Sequence, residues 1–182
     1  MSFQKIPPHA EKVYQGVLHS VYHWQQELFD GSFATFEAVK RSPSVTTIAL
    51  TTEGKVLIIE ETQPYNGSYT TLPGGAAESD DLLKEAQREL LEETGYKSDD
   101  WQKWTTIDVV LYSKLEWESH FYIAKGCYKV SDQTLDAGES ITVKEVTLET
   151  FAEIVKTDAF GIDYIKSVMA DDTKRAAFIS LL

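Results

Sequence analysis

Four glutamates between positions 85 and 93 carry the densest chemistry in this chain. In the run DDLLKEAQRELLEET, residues 80–94, Glu89 precedes Glu92 by three positions and Glu93 by four. On a helix at about 100° per residue, Glu85, Glu89, Glu92 and Glu93 fall within roughly a quarter-turn, while Leu83, Ala86 and Leu90 fall on another face, expected to be the core side. Like charges stacked at these spacings cost a helix about a few tenths of a kcal/mol per pair. A hard divalent cation removes that cost, because Mg²⁺ takes carboxylate and water oxygens and completes its shell with substrate phosphates. The alternative is a solvated acidic face, common on helices and screened by solvent and salt.

The elements that would hold these acids are legible around them. The run is built from strong helix formers, with Ser79 or Asp80 as N-cap, acids in the first turn and Gly95 as the stop, which predicts a helix over Asp80–Thr94. Before it, TQPYNGSYTTLPGGAAES (62–79) holds two Pro and three Gly and reads as loop, with a short strand at 70–72. The N-terminal half is mostly β. VYQGVLHSVYHWQQELF (13–29) leads to a turn at Asp30-Gly31, then come TFEAVK, VTTIAL (45–50), a Glu53-Gly54 turn and KVLIIEE (55–61). The last two apolar runs read as strands buried on both faces. Further strands are expected at about 105–112, at 120–130 and at ITVKEV, and the chain closes with helical patterns in LETFAEIV, DYIKSVM and the tail to Leu182. Residues 1–12, with Pro7 and Pro8, read as a partly ordered leader.

With 182 residues, 17 Lys and Arg against 29 Asp and Glu, the chain carries a formal net charge of −12. That excess of acid repels phosphate backbones and anionic membranes, so neither nucleic acid nor membrane is an expected partner. A hydrophobic fraction of 42% supports a buried core in one domain and argues against disorder. No apolar signal region or spanning segment is visible, and the single Cys127 reads as a buried structural thiol, which together predict a cytoplasmic protein.

From Gly74 to Tyr96 the sequence GGAAESDDLLKEAQRELLEETGY resembles the Nudix box, G-x5-E-x7-R-E-U-x-E-E-x-G-U with U apolar. Six polar or glycine positions match outright, a coincidence with a chance on the order of 10⁻⁷ per register. The resemblance implies an α+β Nudix fold, a mixed β-sheet sandwiched between helices. It implies Mg²⁺, with Mn²⁺ as a substitute, held by Glu89, Glu92, Glu93 and a backbone carbonyl of Gly74 or Gly75, with Gly74 preferred. Arg88 would orient the acids, and Glu92 and Glu93 would be catalytic. The family's first Glu is Asp80 here, so Glu78 or Asp80 could take that place. The implied reaction is hydrolysis of a nucleoside diphosphate linked to another moiety.

Beyond the box, LFDGSFATFEAVKRSPSVTTIALT and DAGESITVKEVTLETFAEIV look like the ADP-ribose pyrophosphatase branch. That likeness implies an N-terminal β extension over residues 1–40 in a homodimer interface, a Nudix hydrolase domain over 41–182, and an acidic loop carrying the general base. Glu139 is the candidate base, with Asp136 behind it, and simple turn acids are the alternative. The branch usually carries a basic stretch where EETQPYNGSYTTLPGG stands, so Gln63, Tyr65 and Tyr69 become the candidates for sugar or base contact. Trp24 could stack on a nucleobase from its own or a partner subunit, against a core or interface role. Trp101, Trp104 and Trp117 read as packing, His120 as a structural hydrogen bond beside Glu118, and Glu116 and Glu118 as possible secondary ligands.

The leading expectation is therefore a Mg²⁺-dependent nucleoside diphosphate sugar hydrolase yielding a nucleoside monophosphate and a sugar phosphate. A nucleoside triphosphate pyrophosphohydrolase for nucleotide-pool cleaning and a non-catalytic nucleotide-sensing domain are the alternatives.

Overall fold

The computed structural model describes residues 6–64, 67–109 and 114–182. Its elements run β1 (Glu11–Gln15), β2 (His19–Glu27), β3 (Phe33–Arg41), β4 (Ser44–Thr51), β5 (Val56–Gln63), β6 (Gly67–Thr71), α1 (Leu82–Thr94), β7 (Tyr96–Lys97), β8 (Asp100–Asp108), β9 (Leu115–Glu116), β10 (Glu118–Lys129), β11 (Ser140–Val146), α2 (Leu148–Ile154), α3 (Asp163–Ala170) and α4 (Asp172–Ile179).

The larger sheet has the order β11-β5-β4-β10-β7, with β6 added on β5 and β8 on β10. Its centre is the parallel pair β4–β10, while the other pairings are antiparallel. Both central strands are buried on both faces, as their apolar runs require. On one face Ile48, Leu50, Ile58, Phe121 and Ile123 pack beneath α2, α3 and α4 through Phe151, Ile165, Met169 and Phe178. On the other, Ala49, Leu57, Ala124 and Cys127 meet Leu90 of α1, and Val45 and Tyr122 meet Ala86. A mixed sheet between helices is thus the architecture, α+β as expected.

A second, four-stranded sheet, β1-β2-β3-β9, is built from the N-terminal segment plus one short strand from beyond residue 114. Its hairpin turns at Gly31, whose φ of 80° only glycine adopts freely. The chain passes to the large sheet through Ser42 and Pro43, tied on both sides: Ser42 N–H donates to Leu18 O at 3.1 Å and Ala77 N–H to Pro43 O at 2.8 Å.

Several expectations shift. The strand expected at 105–112 runs over Asp100–Asp108, and β1 begins inside the expected leader, of which residues 1–5 lie outside the described residues. The helix starts at Leu82, capped by Asp81 rather than Ser79 or Asp80, because the Asp81 carboxylate accepts the Lys84 N–H at 3.3 Å. Trp104 packs as expected, 4.6 Å between ring centroids from Phe178. Cys127 is buried, and burial pushes its thiol up to about 11. Among the described residues no helix is long and apolar enough to cross a membrane.

Candidate active site

Helix α1 does not present its acids to open solvent. Glu85 is 6% exposed and Glu93 5%, so they sit beside Ala86 and Leu90 in the interior, whereas Leu83, assigned to the core by the helical wheel, is exposed. The reason is the Leu72–Ser79 segment, which covers the acidic side of the helix. Gly74 N–H donates to Glu93 Oε2 at 2.7 Å. A Cβ on Gly74 would stand 2.1 Å from Val45 O, at a φ of +152°, so the segment can lie this close to β4 only with glycine there. A Cβ on Gly75 would meet Glu89 Oε1 at 2.5 Å. The Gly75 carbonyl accepts the Val45 N–H at 2.9 Å, which favours Gly74 over Gly75 as backbone ligand.

Arg88 is the hub of the acids. Its guanidinium donates to Glu92 Oε2 at 2.6 Å, to Glu89 Oε1 at 2.8 Å and to Glu85 Oε2 at 3.0 Å. Burial opposes its charge, but the three carboxylates outweigh burial and hold it fully protonated. Glu85, not Asp80 or Glu78, braces the start of the helix. Its carboxylate accepts Ser79 Oγ at 2.6 Å and the Glu78 N–H at 3.2 Å, and the Ser79 hydroxyl chiefly holds it below the usual carboxylate range. Asp80 itself is exposed.

A cleft of about 820 Å³ opens over this cluster. Glu61, Glu89, Glu92, Glu93, Asp136 and Glu139 all line it, so the loop expected to carry a base does face the helix acids. Burial pushes Glu93 up to about 9 and Glu89 up to about 7, and burial also raises Glu139. Within that loop Glu139 N–H donates to Asp136 O at 3.1 Å, and Asp136 N–H to Glu139 Oε2 at 3.3 Å. Among the described residues no three Asp, Glu, His or Cys side chains converge on one point at metal-ligand distance, since Arg88 draws Glu89 and Glu92 aside and Gly74 holds Glu93. The donor set nonetheless suits a hard divalent cation: these are carboxylate oxygens, mostly desolvated, with a surplus of negative charge over the single guanidinium among them.

The substrate candidates divide. Gln63 and Tyr69 line the cleft; Gln63 donates its amide to Glu61, and burial and Glu61 raise the Tyr69 phenol. Tyr65 lies outside the described residues. Trp24 is not brought into the cleft of its own chain: it pairs across β2–β3 with Phe36, 5.9 Å between centroids, and donates Nε1 to Gln26 at 3.0 Å. Glu116 pairs with Lys40 at 3.1 Å and Glu118 stands 3.2 Å from His120 Nε2, both away from the cleft, while His120 Nδ1 hydrogen-bonds Thr106 at 3.0 Å.

Three cleft residues escaped the sequence reading. Glu61 is 7% exposed, turned inward by the alternation that leaves Glu60 outside. Arg41, the last residue of β3, stacks on Trp117 at 3.9 Å from the ring centroid, and both line the cleft. Trp117 is therefore not simple packing. Among the described residues Arg41 Nε is buried without a hydrogen-bond partner, and burial lowers the guanidinium's affinity for its proton, so a cation stands in the cleft with one donor unsatisfied.

A cation and a carboxylate cluster face one cleft above a mixed sheet between helices, a lining suited to phosphate and metal-ion chemistry. The NUDIX domain model matches residues 40–166, and the chain belongs to that family. It is 28% identical over 157 residues to the methanol dehydrogenase activator of Bacillus methanolicus, covering 85% of this chain and 84% of that protein. It is also 28% identical over 168 residues to the ADP-ribose pyrophosphatase of Bacillus subtilis (strain 168), covering 86% of this chain and 89% of that one. A crystal structure of an ADP compounds hydrolase superposes with a TM-score of 0.72 at 17% identity, over 95% of this chain and 92% of the other, so the fold is shared throughout. The chain is a Nudix pyrophosphohydrolase, of a family that generally uses divalent metals.

Proposed function

We propose that the protein hydrolyses the pyrophosphate bond of ADP-ribose or a related nucleoside diphosphate sugar, giving a nucleoside monophosphate and a sugar phosphate. The observation that supports this reading is the cleft in which the Arg88-braced acids of α1 face both Glu139 and Arg41, whose buried Nε has no hydrogen-bond partner among the described residues. Mg²⁺, or Mn²⁺ in its place, would be held by Glu89, Glu92, Glu93 and the Gly74 carbonyl, where it supplies Lewis acidity to a phosphoryl oxygen and to water.

The chain's own groups do the rest. Arg88 and the Gly74 N–H set the carboxylate orientations before substrate arrives. Arg41 gives a phosphate oxygen a charge-assisted donor, and the Trp117 ring fixes the plane of its guanidinium. Glu139 takes the proton of the attacking water, and burial makes its carboxylate a stronger base than an ordinary glutamate. Gln63 and Tyr69 line the same cleft and contact the sugar or base.

The described part of residues 1–40 forms a β extension that serves homodimerisation, and 41–182 the hydrolase domain, in a protein of the cytoplasm. Exposed Val13, Tyr14, Val17, Phe29 and Phe33 on and around the small sheet support this interface, which would also carry Trp24 to a partner's cleft. The test is hydrolysis of ADP-ribose, ADP-glucose, GDP-mannose, UDP-glucose, NADH and the common dNTPs, with Mg²⁺ and with chelator, products read by mass. Metal-dependent cleavage of a sugar nucleotide into two monophosphates is the expected result. Cleavage of dNTPs alone would replace the substrate, and binding without cleavage would replace the activity.

A further inference from the structure

We propose that Gln133 is a positioning residue that sets the Glu139 loop against the acids of α1; this deepens the reading of Glu139 as proton acceptor and rests on it. The last carbonyls of a helix have no partners within it. Here the loop between β10 and β11 supplies them. Val130 and Ser131 N–H donate to Gly95 O at 2.8 and 3.3 Å, and Thr134 N–H donates to Glu92 O at 2.8 Å. The approach is close: a Cβ on Gly95 would lie 2.2 Å from Ser131 O.

The Gln133 side chain completes the junction. Its amide donates to Glu93 O at 2.5 Å and to Ile141 O at 3.2 Å. One NH₂ group therefore joins the foot of the loop, the start of β11 and the backbone of a metal-ligand candidate. Between those feet, residues 135–139 are closed by the Asp136–Glu139 bonds described above. The Glu139 carboxylate is thus held relative to Glu93 by Gln133 and Thr134 on the helix side and by the β11–β5 ladder that begins at Ser140 on the other. Displacing a catalytic group by about 1 Å costs up to roughly 100-fold in rate.

The experiment is a double-mutant cycle on ADP-ribose hydrolysis, or on whichever substrate the panel identifies, with metal present. Gln133→Leu keeps side-chain bulk and removes both donors. It is expected to lower kcat roughly 10- to 100-fold with KM within about twofold. In a Glu139→Gln background the same change should have no further effect on kcat, since Gln133 acts through Glu139. Equal losses in both backgrounds, or a loss confined to KM or to melting temperature, overturn the proposal while leaving Glu139 in place. A Glu139→Gln enzyme at the full rate overturns the base assignment and the proposal together. If Gln133→Leu does not fold, Gln133→Asn, which withdraws the amide by one methylene, enters the same cycle with the same criteria.

Discussion

Gly74 and Glu93 are joined by a 2.7 Å hydrogen bond from the glycine N–H to Oε2 across 19 positions of sequence. This bond fastens the covering loop to the buried end of the acidic helix face. Gly74→Ala would drive a methyl group to 2.1 Å from Val45 O and push the loop outward. The expected cost is roughly 2–5 kcal/mol, from overpacking and backbone strain together. Thermal denaturation measures it, and an unchanged melting temperature would show that the loop tolerates the displacement.

Glu93 gives a pH dependence of defined sign. Its ordinary value is near 4.5, and in the folded protein burial pushes it up to about 9. Between those values the unfolded chain has released the proton and the folded chain has kept it, so its contribution is fully present below about 4.5 and is lost as pH rises toward 9. With chelator present, melting temperature should fall across that window, and Glu93→Gln should flatten the slope. The same variant should abolish turnover while retaining the fold. A slope unaltered by the substitution would assign the effect to other groups, Glu89 first among them.

Arg41→Gln removes the cleft's stacked guanidinium and keeps a planar amide near Trp117. A charge-assisted hydrogen bond of about 1.5–3 kcal/mol is then lost from substrate binding, and KM should rise roughly 10- to 100-fold. Steady-state kinetics against salt checks it. Equal KM in both enzymes would mean that the Arg41–Trp117 stack serves only the fold.

Glu139→Gln should lower kcat by roughly 10²–10⁴, the usual range for a general base, with KM little changed. Asp136→Asn is the control, because Asp136 meets Glu139 through its backbone N–H and carbonyl. A larger loss in Asp136→Asn than in Glu139→Gln would exchange the two roles.

The helix, the strands and the acid motif were legible because each rests on local information: helix formers, the Gly95 stop, apolar runs for β4 and β5. What failed was nonlocal. The wheel placed Leu83 inside and the glutamates outside because hydrophobicity alone decides a wheel, whereas here a loop anchored by Gly74 covers the acids. Asp80 held the motif position, yet Glu85 does the bracing, because one turn further along it reaches Ser79, the Glu78 N–H and Arg88 together. Arg41 and Trp117 are far apart in sequence and meet because β3 pairs in parallel with β9, a register no local pattern announces. Glu61 was readable in retrospect from strand alternation, since Glu60 and Glu61 must point to opposite faces.

The short connection between the two sheets has a mechanical meaning. Ser42 is tied back to Leu18 and Pro43 forward to Ala77, with proline stiffening the step, and Arg41 stands immediately before them. A joint restrained on both sides has no slack. A tilt of the outer sheet would therefore be passed on to the Arg41 guanidinium stacked on Trp117 rather than absorbed in the connection.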